Sequence, residues 1–218
     1  MSHEPAHRGR VVALASGSGS NVQALLDADP PLPVAAAITD RPEAGVRDRM
    51  AAAGIPSEVV PRAAHADRAA WEVALARAVA AYAPDVVVLA GFMRILSGAF
   101  VARWPVLNVH PSLLPAFPGA HAVADALAHG VKLSGATVHF AAEEVDAGPI
   151  VAQQAVAVDP EDTVASLHAR IQRVEHALLP QAVAWQLGGR LRVDGRLVHV
   201  LADPADPGDP GEAPPDPV

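Results

Sequence analysis

The chain has 218 residues, a formal net charge of −8 and no cysteine. Without cysteine it can form neither disulfides nor thiolate zinc sites, and its acidic charge argues against a general nucleic-acid binder. No apolar stretch approaches the roughly 20 residues that span a bilayer, and residues 1–10 are too polar for a signal peptide. The length predicts one sizeable core or at most two small domains.

The first predicted unit is a strand over residues 10–15, a glycine-rich turn over 16–21 and a helix that begins near Val22. Such a turn can bind an anion through exposed backbone N–H groups at the helix start. It lacks the third glycine of a dinucleotide fingerprint and the Lys-Ser/Thr of a Walker loop, so a monophosphate fits better than a longer phosphate chain. A tight turn with a Ser or Asn cap remains the alternative.

Alternating strands and helices continue through the first half of the chain. Continuous apolar runs predict strands, and apolar residues every three or four positions predict helices. On the helix predicted over residues 67–82, Trp71, Leu75 and Val79 form a stripe that we interpret as core. The predicted strands are residues 34–38, 57–60 and 86–90, and the predicted helices are 45–53 and 67–82.

The second half continues this pattern and predicts one α/β domain over residues 10–202, with a doubly wound, mostly parallel sheet of Rossmann-like type. Residues 1–9 are predicted to be flexible, and the acidic, proline-rich segment 203–218 to be disordered. Further strands are predicted at 106–109, 136–140 and 150–158, helices at 122–129 and 163–187 (the latter interrupted or kinked at Pro180), and a hairpin from 190–193 and 196–200.

A candidate catalytic set lies where one of these strands ends. Asn108 and His110 are two residues apart, so on an extended backbone their side chains share a face. A second polar island, residues 143–149, supplies Asp146. An amide, an imidazole and a carboxylate suit acyl transfer: the amide can donate to an oxyanion, the imidazole can carry a proton, and the carboxylate can tune the imidazole. A turn with a satisfied histidine is the alternative, and no histidine spacing typical of a metal site is present, so no metal is predicted.

Four motifs carry a resemblance to a known family. They are Asn-Val-His-Pro-Ser-Leu-Leu-Pro at 108–115, Phe-Pro-Gly at 117–119, Gly-x-Thr-Val-His-Phe at 135–140 and Val-Asp-x-Gly-Pro at 145–149. With them, the chain resembles the folate-dependent formyltransferases, most closely those whose acceptor is glycinamide ribonucleotide. The similarity runs from about Arg10 to about Leu201.

The resemblance implies transfer of a formyl group from 10-formyltetrahydrofolate, the co-substrate, to the amine of glycinamide ribonucleotide. It implies Asn108, His110 and Asp146 as catalytic residues. It implies a phosphate and ribonucleotide site formed by Gly19, Ser20, Asn21 and Glu175. It implies a folate site formed by Arg68, Met93, Arg94, Ile95, Leu96, Asn108, Ala142, Glu143, Glu144, Val145 and Asp146. Ser112 and His121 are expected to support the site, and His139 is expected to be structural. Val174 departs from the polar residue that relatives often carry there.

Three other functions fit parts of this pattern. Methionyl-tRNA formyltransferase has an added basic domain, and formyltetrahydrofolate deformylase usually has an extra regulatory domain, neither of which is expected within 218 residues. A non-catalytic nucleotide-binding module of Rossmann type would not need the three catalytic residues together. The predicted partners are therefore the two small-molecule substrates, and neither nucleic acid nor a membrane is expected. The protein is predicted to be cytoplasmic and to be a monomer or a homodimer.

Overall fold

The computed structural model describes residues 9–202; the predicted tail at 203–218 and nearly all of the predicted flexible N-terminus lie outside this range. The strands are β1 Val11–Leu14, β2 Val34–Thr39, β3 Ser57–Val59, β4 Val86–Leu89, β5 Val106–His110, β6 Leu133–Phe140, β7 Ile150–Ala157, β8 Leu191–Asp194 and β9 Leu197–Val200. The helices are α1 Ser20–Leu26, α2 Val46–Ala52, α3 Arg68–Ala80, α4 Gly98–Val101, α5 Ala122–Ala128 and α6 Val164–Leu187.

Seven strands form one sheet in the order β3-β2-β1-β4-β5-β6-β7, and β8 pairs with β9 as a separate hairpin. The pairings among β1 to β5 are parallel, whereas β5–β6 and β6–β7 are antiparallel. The strand order reverses direction between β1 and β4. In doubly wound sheets this switch point opens a crevice at the carboxyl ends of the strands, where ligands bind. The predicted fold class is confirmed.

Both faces of the sheet are covered, which explains why the inner strands are continuous apolar runs. Val11 and Ala13 pack into a cluster on one face, together with residues of α1 and α6. Val12 and Leu14 pack into a second cluster on the other face, against Trp71 and other residues of α3. Because successive side chains point to opposite faces, a strand buried on both sides needs an apolar residue at every position.

One prediction of secondary structure needs correction, and one short helix was not predicted. The α6 helix passes through Pro180 without interruption, so the predicted interruption is wrong. Leu178, Leu179, Ala182 and Val183 are all buried on either side of the proline, and that burial outweighs a cost of about 3 kcal/mol for proline within a helix. The short α4 helix was not predicted, because four residues are too few to show a periodic pattern.

The β6–β7 pairing contains a β-bulge beside the candidate site. Val138 pairs with Ala152, whereas the next residue, His139, pairs with Ile150. Val151 on β7 therefore has no partner of its own in this register. Such an extra residue bends a strand locally and changes where the neighbouring side chains point. Within residues 9–202, no helix is long and apolar enough to cross a membrane.

Candidate active site

A cavity of about 420 Å³ opens at the carboxyl ends of β4 and β5. It lies on the β4 and β5 side of the switch point, where a doubly wound sheet is expected to bind its ligand. Its wall includes Met93 and Ile95, which are 61% and 59% exposed. Large apolar side chains that remain exposed beside a cavity favour an apolar, planar ligand.

The three predicted catalytic side chains meet at this cavity. Asn108 and His110 both come from β5, and Asp146 comes from the loop before β7. His110 Nδ1 lies 3.4 Å from Asp146 Oδ2, and Asn108 Nδ2 lies 3.4 Å from Asp146 Oδ1. The shortest contact of the carboxylate is with the backbone N–H of Gly119, which donates to Oδ2 at 2.7 Å. Asp146 is therefore held by a loop and is in contact with both β5 side chains.

The imidazole of His110 has a defined orientation. Its Nε2 lies 2.8 Å from the carbonyl oxygen of Phe117. A carbonyl can only accept, so Nε2 carries a proton and donates it. The other nitrogen, Nδ1, has only the longer contact with Asp146. His110 is 5% exposed, so its ring is almost fully shielded from bulk solvent.

Asp146 is ionised at neutral pH. Its burial, the largest effect, would raise the pKa of the carboxyl group. The interaction with the His139 ring, the hydrogen bond from the backbone N–H of Gly119 and the interaction with the His110 ring together outweigh that effect and hold the pKa below its usual value. The residue has a φ of 55°, in the left-handed region that Asp and Asn tolerate better than most residues. The site thus contains a fixed negative charge.

His139 belongs to the site, although the sequence suggested only a structural role. Its Nδ1 lies 2.9 Å from the carbonyl oxygen of Phe140 and must donate there. In the neutral ring Nε2 is then an acceptor, and it lies 3.0 Å from Asn108 Nδ2. This contact orients the amide. The signal that reveals it is the antiparallel pairing of Asn108 with His139, which the sequence alone does not provide.

The arrangement can stabilise a negative charge that develops on a ligand oxygen. One N–H of Asn108 is committed to His139, while the other has only the 3.4 Å contact with Asp146. That second N–H is a weakly engaged donor, and Nδ1 of His110 becomes a second one when the ring is protonated. Two such donors in a largely buried site are the usual elements of an oxyanion hole.

The predicted folate residues fall into two groups. Arg68 does not line the cavity: its Nη2 donates to the carbonyl of Ile95 at 3.1 Å, and its Nε pairs with Glu72. Glu72, which the sequence analysis missed, also accepts from the N–H of Ser97 at 2.9 Å, so the pair braces the end of the cavity wall. Glu144 is exposed and lies outside the lining. The predicted residues that do line the cavity are Met93, Arg94, Ile95, Leu96, Asn108, Ala142, Glu143, Val145 and Asp146.

The predicted phosphate loop is fixed on both sides. Gly19 has a φ of 75°, and a Cβ there would lie 2.7 Å from Cβ of Val46, so only glycine fits. Asn21 Nδ2 donates to the buried carboxylate of Glu175 at 3.0 Å. The loop, Ser20 at the start of α1 and Glu175 are thus brought together. Arg49, a cation that the sequence analysis missed, donates from Nε to the carbonyl of Ser18 at 2.8 Å.

The two predicted supporting residues differ in position. Ser112 is fully buried, and its Oγ donates to the carbonyl of Ala116 at 2.5 Å, which fixes the loop after β5. His121 is exposed just before α5 and does not line the cavity. Among residues 9–202, no group of three or more His, Cys, Asp or Glu side chains is arranged to hold a metal ion.

The chain matches known proteins over most of its length. The family model described as formyl transferase matches residues 9–183. Phosphoribosylglycinamide formyltransferase of Mycobacterium tuberculosis is 50% identical over 185 residues, which cover 83% of this chain and 86% of that protein. The Escherichia coli protein of the same name is 41% identical, covering 84% and 89%. The crystal structure of glycinamide ribonucleotide transformylase 1 from Symbiobacterium toebii superposes with a TM-score of 0.88 at 43% identity, covering 93% and 98%.

Proposed function

The chain belongs to the formyl transferase family, and we propose that it transfers the formyl group of 10-formyltetrahydrofolate to the amine of glycinamide ribonucleotide, a step of purine synthesis. The observation that carries this proposal is the convergence of Asn108, His110 and Asp146 on one cavity. The names of the relatives supply the acceptor and the transferred formyl group, and the resemblance of the sequence motifs supplies the folate donor. The reaction takes place in the cytoplasm, where both small molecules would be available.

The reaction begins when the amine nitrogen attacks the formyl carbon. A new C–N bond forms, and the carbonyl π electrons move onto oxygen to give a tetrahedral adduct. The N–H of Asn108 that has only the long contact with Asp146 donates to this oxyanion, and so does Nδ1 of the protonated His110 ring. Both donors bind the adduct more tightly than the planar carbonyl, and that difference lowers the barrier.

Collapse of the adduct completes the transfer. The oxyanion re-forms its double bond while the bond between carbon and N10 of the folate breaks. The proton that the attacking amine loses is delivered to the departing N10, with His110 as the shuttle. The ionised Asp146 stabilises the protonated form of that ring. All bonds are made and broken between the two substrates, so no covalent enzyme intermediate is required.

The acceptor would bind through its phosphate at the loop that contains Gly19, Ser20 and Asn21. Arg49 places a positive charge against this loop, which favours an anionic group there. Glu175, linked to Asn21, is suited to accept hydrogen bonds from the ribose hydroxyls. The ribonucleotide would then extend from this loop across the switch point to place its amine beside Asn108.

The donor would occupy the cavity beyond Asn108. The apolar side chains of Met93, Ile95 and Val145 give it a surface for the flat pteridine, and the backbone between residues 92 and 96 can read the polar edge of that ring. Asp146 lies at the end of this cavity next to the catalytic pair, where the formyl carbon must lie. A monomer or a homodimer is compatible with this arrangement.

A competition assay tests the proposal. The purified chain is given 10-formyltetrahydrofolate with glycinamide ribonucleotide, water alone or charged initiator tRNA as acceptor. Transfer to the ribonucleotide at least about a thousandfold faster than to water or tRNA is expected of an enzyme built for that amine. Dominant release of formate would instead make the chain a deformylase. His110→Asn should abolish transfer, whereas His199→Asn on the exposed face of β9 should not.

A further inference from the structure

A buried polar network joins three strand ends near the cavity. Asp40, directly after β2, is 4% exposed. Its Oδ1 accepts from Ser16 Oγ at 2.6 Å, and its Oδ2 accepts from Arg94 Nε at 2.6 Å. Ser16 Oγ in turn accepts from the backbone N–H of Met93 at 3.0 Å. Two of the four residues, Met93 and Arg94, belong to the wall of the cavity.

The protons of this network have only one consistent arrangement. Because Ser16 Oγ accepts from Met93 N–H, its own proton is free to go to Asp40. Arg94 can only donate, so it takes the second oxygen of Asp40. Both carboxylate oxygens are therefore used, and one buried charge pairs with a cation and a hydroxyl. Buried ionic groups that are satisfied in this way fix geometry, and removal of one partner is costly.

The cavity wall is held in two ways. Phe92 and Leu96 are 8% and 5% exposed and anchor it in the core, whereas Met93 and Ile95 line the open cavity at 61% and 59% exposure and add little burial. Polar contacts fix the wall where its apolar side chains do not. At its far end the wall is braced by Arg68 and Glu72. At its near end it is held by Ser16 and Asp40.

We propose that Asp40 is a positioning residue for the formyl donor, because it holds the wall against which the pteridine lies. It acts on this wall directly through Arg94. It also acts through Ser16, whose Oγ accepts from the N–H of Met93. Asp40 does not line the cavity in which the donor would bind. Its effect is therefore on the affinity for the donor, not on the bond-making step. The identity of the donor rests on the proposed function, whereas the dependence of the wall on Asp40 does not.

Asp40→Asn is the informative substitution. An amide of nearly the same shape has one oxygen, which must face Arg94 Nε, so its NH₂ group faces Ser16 Oγ and the serine proton loses its buried acceptor. The negative charge that pairs with Arg94 is lost as well. We expect the Kd for tetrahydrofolate, measured by calorimetry in the absence of the acceptor, to rise roughly tenfold or more. The KM for glycinamide ribonucleotide should stay within about twofold and kcat within about threefold of the wild-type values.

Two further variants separate positioning from general damage. Ser16→Ala removes the link to Met93 and should weaken tetrahydrofolate binding by several-fold, and the double variant should be little worse than Asp40→Asn, because both act through one network. Asp48→Asn makes the same change on the exposed face of α2 and should leave all constants unchanged.

The outcomes distinguish this proposal from the proposed function. An unchanged Kd in Asp40→Asn and Ser16→Ala, or an equal loss for donor and acceptor, would overturn the positioning role. If wild-type protein binds tetrahydrofolate but transfers no formyl group, the proposed reaction fails while the effect of Asp40 on binding is still measured. Thermal unfolding of each variant identifies any that no longer folds. If Asp40→Asn does not fold, the Kd of Ser16→Ala for tetrahydrofolate decides the question.

Discussion

Replacement of Asp146 by asparagine tests the catalytic arrangement most directly. Asparagine tolerates the left-handed backbone at this position, where φ is 55°, so the loop should keep its conformation. The amide oxygen must face Gly119, whose N–H makes the one short bond to the side chain at 2.7 Å. The NH₂ group then replaces Oδ1 and faces the amide of Asn108 and the ring of His139. The negative charge near His110 is lost.

The size of the effect follows from the distance between the two groups. Unit charges 3.4 Å apart interact by about 5 kcal/mol at an effective dielectric constant of about 20. The amide dipole retains part of this interaction, so we expect a loss of about 2 to 3 kcal/mol in the transition state. That corresponds to a fall in kcat of about a hundredfold. Single-turnover formyl transfer from saturating folate measures it without interference from product release.

The pH dependence separates tuning from orientation. If protonated His110 is the working form, loss of the nearby negative charge makes that form less favourable, and the alkaline limb of the rate profile should move to lower pH. A large rate loss with an unmoved alkaline limb would leave Asp146 as an orienting group only. Turnover within a few-fold of wild type would refute the reasoning and remove Asp146 from the catalytic set.

Three further predictions address other parts of the site. Asn108→Ala should lower kcat about a hundredfold while both substrates still bind, and a loss confined to folate affinity would make Asn108 a binding residue. Asn21→Asp should raise the KM for the ribonucleotide far more than the KM for the folate. The new carboxylate also lies about 3.0 Å from that of Glu175, and the repulsion between them should lower thermal stability. Adding Glu175→Gln should restore the thermal stability but not the KM for the ribonucleotide. The pKa of Asp146 is lower in the folded protein than the ordinary carboxyl value of about 4. Its ionised form therefore stabilises the fold fully above about pH 4, and this contribution disappears as the pH falls through the pKa of the folded state. The difference in urea midpoint between wild type and Asp146→Asn should therefore shrink below pH 4, and a constant difference would contradict the shift.

The strand and helix pattern was predictable because the inner strands are buried on both faces. Runs such as residues 86–89 have no polar residue to interrupt them, and the α3 stripe has helical spacing with Asp67 as its cap. The catalytic pair on β5 was predictable for a similar local reason: two residues that are two apart on a strand share a face whatever the rest of the fold does.

Contacts between distant segments could not be predicted in the same way. The role of His139 depends on its register against Asn108, and that of Asp40 on three strand ends that meet in space. Arg68 stays a predicted folate residue, and its contact with the backbone carbonyl of Ile95, a cavity residue, was not predicted. Each of these outcomes depends on strand order and register, which a periodic pattern does not encode.

The unpaired Val151 affects the direction in which the chain returns from the loop that holds the reactive carboxylate. His139 and Ile150 are paired and close that loop, and Val151 is the surplus residue that follows on β7. An extra residue of this kind bends its strand and increases the local twist, whereas the number of residues in the loop, 140–149, is fixed by the pair that closes it. Deleting Val151 would keep both neighbouring pairs and straighten β7. The deletion would therefore change the angle at which Asp146 is presented to His110, not the length of the loop.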